Sequence, residues 1–295
     1  MEPIIILNPG ANRFNEAEAY FKSQSIDYIL CEEREDMEGI VHDTVEEGHL
    51  DFLVCGGDGT INNFLQAYMA LPEETRSTIR LGVLPGGTAN DLAAELGIPD
   101  DIAAAYEHIM NSATKSVDVI RVNDRYFITG GALGFTSELT VDIDDFKATR
   151  LGKFLQEHLG DTIFRLQVLK KLVFGYDGLR EVEVGEFYHG VDIGILSVQN
   201  QPIMGGDFHI APGADNADGK MNICVIPRSR GLLGHLAVFG KVTKGELLED
   251  AVYLETDRVL VRTDGKHDFV GDGELLCYGD SFDLELIPGA IRLYR

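Results

Sequence analysis

The chain has 295 residues, of which 44% are hydrophobic and 25% charged, as expected for a globular protein with one large or two ordinary domains. Its 49 acidic and 25 basic residues give a net charge of −24, which argues against a nucleic-acid partner because phosphate binding needs a basic surface. No stretch approaches the about 18 consecutive apolar residues of a membrane-spanning helix.

The first apolar run, Ile4–Leu7, is too short for the hydrophobic segment of a signal peptide. The 4 cysteines are widely spaced and form no Cys-x-x-Cys pair, so reduced thiols are expected. Together these features predict a cytoplasmic protein.

Residues 1 to about 115 alternate short apolar runs with helical patterns, which predicts a parallel sheet flanked by helices. Strands are predicted at Ile4–Leu7, Tyr28–Cys31, Asp51–Cys55 and Leu81–Leu84. Helices are predicted at Asn15–Phe21, Met37–Glu47, Ile61–Met69, Thr88–Leu96 and Ile102–Met110.

Two glycine-rich turns, Gly56–Thr60 and Leu84–Thr88, each follow a strand pattern and open a helical one. Neighbouring parallel strands would direct both turns into one crevice, where helix N-termini could hold a polyphosphate. The alternative is that the glycines and threonines serve turn geometry and helix capping alone. Asn62 stands where a dinucleotide motif has its third glycine, and neither turn has a phosphate-binding lysine. A metal ion would therefore have to neutralise the phosphates.

After about residue 116 the pattern changes to many short strands with period-two alternation, which indicates a β-sandwich. They are predicted at Val117–Val122, Arg125–Thr129, Glu181–Val184, Val191–Ile195, Asn222–Ile226, Arg258–Arg262 and Phe282–Leu286. A helical insertion, roughly Leu151–Phe174, interrupts them. This change of pattern therefore predicts one domain at residues 1–116 and a second at residues 117–295. The C-terminal tail of the second domain could return to the first.

The two turns together resemble the diacylglycerol kinase catalytic domain family, which includes bacterial soluble lipid kinases and is related to sphingosine kinases. Asn8-Pro9, Ala217-Asp218-Gly219 and Asp272-Gly273-Glu274 match the same family pattern in order. The resemblance implies an α/β plus β fold, in which an N-terminal parallel-sheet nucleotide-binding domain precedes a β-sandwich lipid-binding domain with a helical insertion. It also implies an ATP- and Mg²⁺-dependent lipid kinase.

The resemblance assigns roles to particular residues. Asp58 would reach Mg²⁺ beside the nucleotide phosphates, and Glu274 would act as general base toward the lipid hydroxyl. Apart from the resemblance, Asp91 is expected to be a local cap and dipole partner of its helix, with a contribution to the geometry of the site as the second interpretation. The residues expected to contact ATP are Asn8, Pro9, Gly56, Gly57, Asp58, Gly59, Thr60, Asn62, Gly87 and Thr88. The alternative for Glu274 is a solvated side chain beside an Asp272-Gly273 hairpin turn.

A second acidic loop, Gly213–Gly219, could bind a divalent cation, although its spacing is not that of an EF-hand. In the family such a loop holds a structural Mg²⁺. The resemblance implies a carboxylate from Asp218 and backbone carbonyls from Asp215 and Lys220. The alternative is a plain turn rich in Asp and Gly.

The sequence departs from the family pattern at three places. Asn63 replaces a Glu in the first helix, and Thr136-Ser137 replace an Asp-Ala pair. Cys31 stands near the position of a nucleotide-contacting Thr. A lost acid at either of the first two places would alter metal handling or substrate choice.

Apolar residues interleaved with basic ones occur in Leu151–Val173 and Leu232–Val242. These stretches could touch a membrane that presents the lipid substrate, or they could be amphipathic helices packed on the sandwich. The expected localisation is cytoplasmic with peripheral membrane contact. The oligomeric state is open, with a homodimer as one arrangement.

Three functions remain in competition at this level. The first is a lipid kinase of the diacylglycerol kinase type. The second is an NAD kinase, which shares a Gly-Gly-Asp-Gly turn, although the Asn90-Asp91 pair favours the lipid kinase. The third is a regulatory protein that binds nucleotide without turnover.

Overall fold

The first half of the chain forms four strands and six helices in a computed structural model that describes residues 2–148, 171, 176–229 and 231–295. In chain order these elements are β1 (Ile4–Leu7), α1 (Phe14–Gln24), β2 (Ile29–Leu30), α2 (Asp36–Glu46), β3 (Asp51–Gly56), α3 (Asp58–Ala70), α4 (Glu73–Arg76), β4 (Arg80–Pro85), α5 (Asp91–Glu95) and α6 (Ile102–Met110). The predicted strands and most of the predicted helices are confirmed within one or a few residues.

Strands β2, β1, β3 and β4 lie side by side in that order, and each neighbouring pair is parallel. The register aligns Leu7 with Cys55 and Gly56 with Pro85, so the loops that follow these strands leave from one edge. Because parallel strands in such sheets are covered on both faces, their residues are almost continuously apolar. This packing produces the first core, in which the ring centroids of Phe52 and Phe64 lie 5.3 Å apart.

One predicted helix begins later than its pattern suggests. The sequence predicts a start at Thr88, but α5 begins at Asp91 because Asn90 has a left-handed backbone with φ of 53°. The Asn90 side chain bonds back to Gly87, which holds the chain in a loop up to that point. Asn is among the few residues that adopt this conformation readily.

The second half is mainly antiparallel. Its elements are β5 (Thr114–Val122), β6 (Arg125–Phe127), β7 (Gly130–Gly134), α7 (Phe135–Ala148), β8 (Leu179–Val184), β9 (Tyr188–Gln199), β10 (Ile203–Met204), β11 (Phe208–His209), β12 (Met221–Pro227), α8 (Gly231–Val242), β13 (Val252–Thr256), β14 (Arg258–Gly271) and β15 (Glu274–Tyr294). Six of the seven predicted strands of this half lie within these elements, and the seventh, Arg125–Thr129, extends two residues beyond the end of β6. The predicted helical insertion Leu151–Phe174 lies outside the described residues, apart from Lys171.

Strand β8 pairs with both β9 and β14, so the sheet curls around a second apolar core that contains Phe127, Phe269 and Phe282. Strand β15 joins the two halves. It pairs with β14 and β5, and its last residues run parallel to β4, with Arg292 opposite Arg80. The division at residue 116 stays a prediction.

All four cysteines are unpaired, as expected for reduced thiols. Among the described helices, none is both long and apolar enough to cross a bilayer.

Candidate active site

The two glycine turns meet at the edge where the parallel strands end. Gly86 donates its N–H to the carbonyl oxygen of Gly56 at 2.9 Å. A Cβ atom added at Gly87 would collide with Cα of Gly57, so the contact between the backbones depends on glycine at this position. The turns therefore lie in direct contact, and α3 begins beside them with Gly57 as its N-cap.

The loop after β1 closes the same crevice from another side. The Asn8 side chain donates to the Thr60 hydroxyl at 2.7 Å and accepts the N–H of Gly10 at 2.7 Å. The Asn12 side chain donates to the Thr88 hydroxyl at 2.7 Å. Pro9 lies in this loop, between the two asparagines. Both predicted threonines thus lie at one site, each bonded to the first loop.

Asp91 does not act as the local cap that the sequence suggests. Its carboxylate instead accepts the N–H groups of Gly205 at 2.5 Å and Gly206 at 2.7 Å. Both glycines have a left-handed backbone, with φ of 65° and 85°, and successive N–H groups of this kind form an anion-binding concavity. The Gln201 side chain also donates to the Asp91 carbonyl at 3.3 Å. Asp91 therefore links the second glycine turn to the β10–β11 hairpin of the other half.

Asp272 is a buried carboxylate that sequence analysis treats only as a turn residue. It accepts hydrogen bonds from the Asn62 side chain at 2.8 Å and from the Thr129 hydroxyl at 2.6 Å. The backbone N–H groups of Ile128 and Thr129 complete its shell. Burial raises the pKa of Asp272, and these hydrogen bonds oppose the rise. Asp272 thus ties α3 to the turn that precedes Glu274, because Asn62 lies on that helix.

Asp58 lies at the start of α3 and keeps partial contact with solvent. Burial of its carboxyl is the main cause that raises its pKa to about 7, and the charges of Asp91 and Asp272 add to the rise. Hydrogen bonds from the backbone of Leu92 and Asp91 act in the opposite direction. A bound cation would favour the charged form of this carboxyl, and a carboxylate oxygen is a ligand that a divalent metal such as Mg²⁺ prefers.

Glu274 is brought to the first turn of α3. Asp272 and Gly273 form a hairpin turn with φ of 51° and 78°, and β15 starts directly after it. A Cβ atom added at Gly59 would collide with Oε1 of Glu274, so the carboxylate lies against that glycine. Nη1 of Arg34 lies 3.5 Å from the other carboxylate oxygen. Asp272 and Gly273 thus form the hairpin turn of the alternative interpretation, and the same turn places Glu274 beside α3, as the interpretation as a general base requires.

The second acidic loop is held by hydrogen bonds within it and by β5, where Asp118 accepts the N–H of Gly219 at 2.8 Å and donates its own N–H to the Asn216 carbonyl at 2.8 Å. Oδ1 of Asp218 accepts the N–H of Lys220 at 2.9 Å, and Oδ1 of Asp215 accepts that of Ala217 at 3.0 Å. The ammonium group of Lys115 lies 3.6 Å from Asp215. The structural-ion assignment of this loop stays a prediction.

Within the described residues, one group of three metal-ligating side chains lies close together, namely His42, Asp43 and Glu46 on α2. All three are exposed, which is common for acidic groups without an ion.

Of the departures from the family pattern, Cys31 and Ser137 have satisfied hydrogen bonds, whereas Asn63 does not. Cys31 is buried and directs its thiol to the carbonyl oxygen of Glu33 at 3.3 Å. The Ser137 hydroxyl bonds to the Gly134 carbonyl at 3.0 Å, at the start of α7. The Asn63 side chain oxygen is buried without a hydrogen-bond partner.

Sequence reasoning missed Asp272, Arg34 and the Gly205-Gly206 pair as parts of this site. The glycine pair carried a usable signal, because adjacent glycines favour left-handed backbone. Asp272 lies in the Asp-Gly-Glu motif that pointed to Glu274, but its hydrogen-bond partners, like the partner of Arg34, are distant in the chain and no local pattern reports them.

Comparison with known proteins agrees with this arrangement. Residues 4–122 match the diacylglycerol kinase catalytic domain, and residues 158–295 match the YegS C-terminal NAD kinase beta sandwich-like domain. The diacylglycerol kinase of Bacillus subtilis (strain 168) is 30% identical over 247 residues, which cover 82% of this chain and 75% of the relative. A crystal structure of a diacylglycerol kinase from Bacillus anthracis strain Sterne has a TM-score of 0.75 at 20% identity and covers 100% of this chain and 97% of its own.

The chain therefore belongs to the diacylglycerol kinase family. The prediction of a kinase enzyme is confirmed, as is a fold of this family with a C-terminal β-sandwich-like domain.

Proposed function

We propose that this protein transfers the γ-phosphoryl group of ATP to the hydroxyl of a lipid such as diacylglycerol. One observation carries the proposal, namely the contact of the Glu274 carboxylate with Gly59 at the N-terminus of α3. A group able to take a proton thus lies where backbone N–H groups and the helix dipole favour a phosphate. The printed names of the relatives support a lipid as the acceptor.

The nucleotide would lie across the two glycine turns. Backbone N–H groups of Gly57–Gly59 would face its phosphates, the Thr60 hydroxyl would lie beside them, and Gly87 with Thr88 would form the second wall. Asn8 and Asn12 orient the two threonine hydroxyls of this crevice through hydrogen bonds of 2.7 Å. The remaining contacts suggested by the resemblance, at Pro9, Gly56 and Asn62, belong to the same proposal.

Asp58 would hold the catalytic Mg²⁺, which supplies charge neutralisation and orientation of the β- and γ-phosphates when bound. Burial is the main cause that raises the pKa of Asp58, and the nearby charges of Asp91 and Asp272 add to it, so a cation here would stabilise the charged carboxylate. At the other loop, Asp218, Asp215 and Lys220 would hold a structural ion. Chelation followed by thermal melting tests that ion, and an unchanged melting temperature would rule it out.

In the transfer step the acceptor oxygen forms a bond to the γ-phosphorus while the bond from that phosphorus to the bridging oxygen breaks. ADP leaves with the electron pair of the broken bond, and the hydroxyl proton passes to Glu274. A carboxylate is a weak base toward an alcohol, so the proton leaves as the new bond forms. Position therefore matters more than basicity, and Asp272 fixes that position.

The lipid would reach this site from a membrane surface that α8 contacts. Leu232, Leu233 and Leu236 are exposed on α8, with Leu233 83% exposed. α8 contains no acidic residue and has Lys241 near its C-terminal end, so its exposed leucines could enter a lipid surface without burying a carboxylate. The Phe239 ring of α8 contacts Phe208 at 5.0 Å, on the hairpin that Asp91 holds. The other proposed contact, Leu151–Val173, falls almost entirely outside the described residues.

The proposal includes a division of labour between residues 1–116, which would bind nucleotide, and residues 117–295, which would bind lipid. The tail from Glu274 would bring the base back to the first domain. A cytoplasmic location with peripheral membrane contact follows from this arrangement. A homodimer is compatible with it.

The decisive experiment incubates the protein with γ-labelled ATP, Mg²⁺ and either lipid extract or NAD. We expect label in lipid, and we expect Glu274→Gln to abolish transfer while the melting temperature is kept. Glu138→Gln, a change of the same type on α7, is the control. Label in NAD would support an NAD kinase, and nucleotide binding without transfer would support a regulatory protein. Unchanged turnover in Glu274→Gln would remove that residue from the mechanism.

A further inference from the structure

Arg34 lies at the ligand-binding edge of the parallel sheet. It belongs to the loop between β2 and α2, and this loop leaves the same edge as those that follow β1, β3 and β4. In sheets of this kind, ligands bind outside the carboxyl ends of the strands. Nη1 of Arg34 lies 3.5 Å from Oε2 of Glu274, whose other oxygen faces Gly59. Arg34 thus reaches across to the carboxylate proposed to act as base.

The site needs a positive charge from the protein. It gathers the carboxyls of Asp58, Asp91, Asp272 and Glu274, and its glycine turns contain no lysine or arginine. Arg13 is also near, but its guanidinium binds both carboxylate oxygens of Glu16 and the carbonyl of Pro85. A triphosphate adds several negative charges, and the phosphoryl transition state spreads charge over oxygens that cations stabilise.

The contact between Arg34 and Glu274 is suited to exchange. At 3.5 Å it is longer than the 2.7–2.9 Å typical of a strong charge-assisted hydrogen bond. The Arg34 side chain is 42% exposed, so its guanidinium can turn without disturbing the core. Exposed ion pairs of this kind contribute little to stability. Arg34 is therefore better placed to serve a ligand than to hold the fold.

We propose that Arg34 binds the transferring phosphoryl group. The proposal rests on the proposed kinase function and names a further residue of the same site. Without substrate, Arg34 pairs with Glu274. When nucleotide and acceptor fill the site, the guanidinium donates to γ-phosphoryl oxygens and leaves Glu274 to accept the hydroxyl proton. The planar guanidinium fork matches phosphate geometry, which a lysine ammonium does not.

The test compares Arg34→Ala and Arg34→Lys with Arg80→Ala. Arg80 is the matched control because it pairs with Asp51 at the opposite end of β3 and β4. Calorimetry measures binding of ATP with Mg²⁺ in the absence of lipid, and initial rates give kcat and KM for ATP and for diacylglycerol in vesicles. Melting temperatures verify folding. Guanidinium ion is then added to each alanine variant at a low, non-denaturing concentration.

We expect Arg34→Ala to lower kcat about 100-fold, since loss of one donor to a developing oxyanion has an effect of that order. ATP binding should weaken about tenfold, while the KM for lipid stays the same. Arg34→Lys should recover part of kcat, and guanidinium ion should rescue Arg34→Ala but not Arg80→Ala. Rescue by the free ion would not occur if Arg34 merely held the loop in place.

Two results would overturn the role of Arg34. One is unchanged kcat and ATP binding in Arg34→Ala, and the other is a rise in the KM for lipid alone, which would make Arg34 a lipid contact. Failure of the kinase proposal is distinguishable. If the wild type labels no acceptor, weaker ATP binding in Arg34→Ala would still show that Arg34 contacts a phosphate. Unchanged ATP binding in Arg34→Ala would still refute that contact.

Discussion

The two glycine turns have nearly the same composition but perform different structural tasks. The first leads directly into α3, a helix of 13 residues, and keeps the carboxyl of Asp58 beside the crevice. The second is followed by the left-handed Asn90 and by α5, which has 5 residues. Its carboxylate, Asp91, leaves the crevice for the backbone of Gly205 and Gly206. Both turns border the proposed nucleotide crevice, but only the second also fastens one half of the molecule to the other, through Asp91.

The strongest test of this difference is Asp58→Asn. We expect transfer to lipid to fall by about 1,000-fold or more, because the proposed metal loses its carboxylate. Folding should be kept, since an amide is neutral and the charged carboxyl is disfavoured by its surroundings. Labelled-ATP assays and thermal melting provide the measurements, with Asp43→Asn on the exposed face of α2 as control. Near-normal transfer in Asp58→Asn would show that the first turn is not the catalytic one.

The pH dependence of stability also tests the environment of Asp58 at the first glycine turn. Burial raises the pKa of Asp58 from 3.8 to about 7, so the folded chain holds one more proton than the unfolded chain between these values. The free energy of unfolding should therefore fall as pH rises through this window, by up to about 4 kcal/mol from Asp58. The raised pKa values of Asp91 and Asp272 add in the same direction.

Chemical denaturation at pH 4 and pH 8 measures this fall. Asp58→Asn should reduce it, because the asparagine does not titrate, while Asp43→Asn should leave it as in the wild type. An identical fall in wild type and Asp58→Asn would mean that the carboxyl at the first turn is not strained by its neighbours.

The sequence predicts those features of the fold that depend on local pattern. Buried parallel strands such as Asp51–Gly56 are runs of apolar residues, and α3 has the helical spacing of such residues. The predicted start of α5 at Thr88 was wrong. The Asn90 side chain bonds back to Gly87, and the spacing of apolar residues does not report that bond.

In the candidate site, the difference between what local sequence patterns predict and what they miss is larger. Asp58 and Glu274 could be proposed from motifs, because each lies in a short run of characteristic residues. The partners of Asp272 and Asp91 are separated from them by more than a hundred positions. Such contacts exist only once the two halves are packed, so no local pattern predicts them.

Asp91→Asn tests the second turn. We expect it to have a smaller effect than Asp58→Asn or the change of pH. The amide can accept one of the two N–H groups, but its own NH₂ group then opposes the other. The free energy of unfolding should fall by about 2 kcal/mol, the typical effect of an unpaired buried donor. ATP binding should be unchanged, since the Asp91 carboxylate bonds the β10–β11 hairpin and not Gly87 or Thr88, while the KM for lipid should rise as this hairpin loosens. Denaturation, calorimetry and vesicle assays measure the three quantities.

Asp207→Asn is the matched control because Asp207 is exposed on the same hairpin. Equal stability of Asp91→Asn and Asp207→Asn would mean that the link between the halves does not depend on the Asp91 carboxylate. Weaker ATP binding in Asp91→Asn, with an unchanged KM for lipid, would mean that the Asp91 carboxylate supports the nucleotide crevice rather than the link to the hairpin. β15 alone would then have to fix how the halves are arranged.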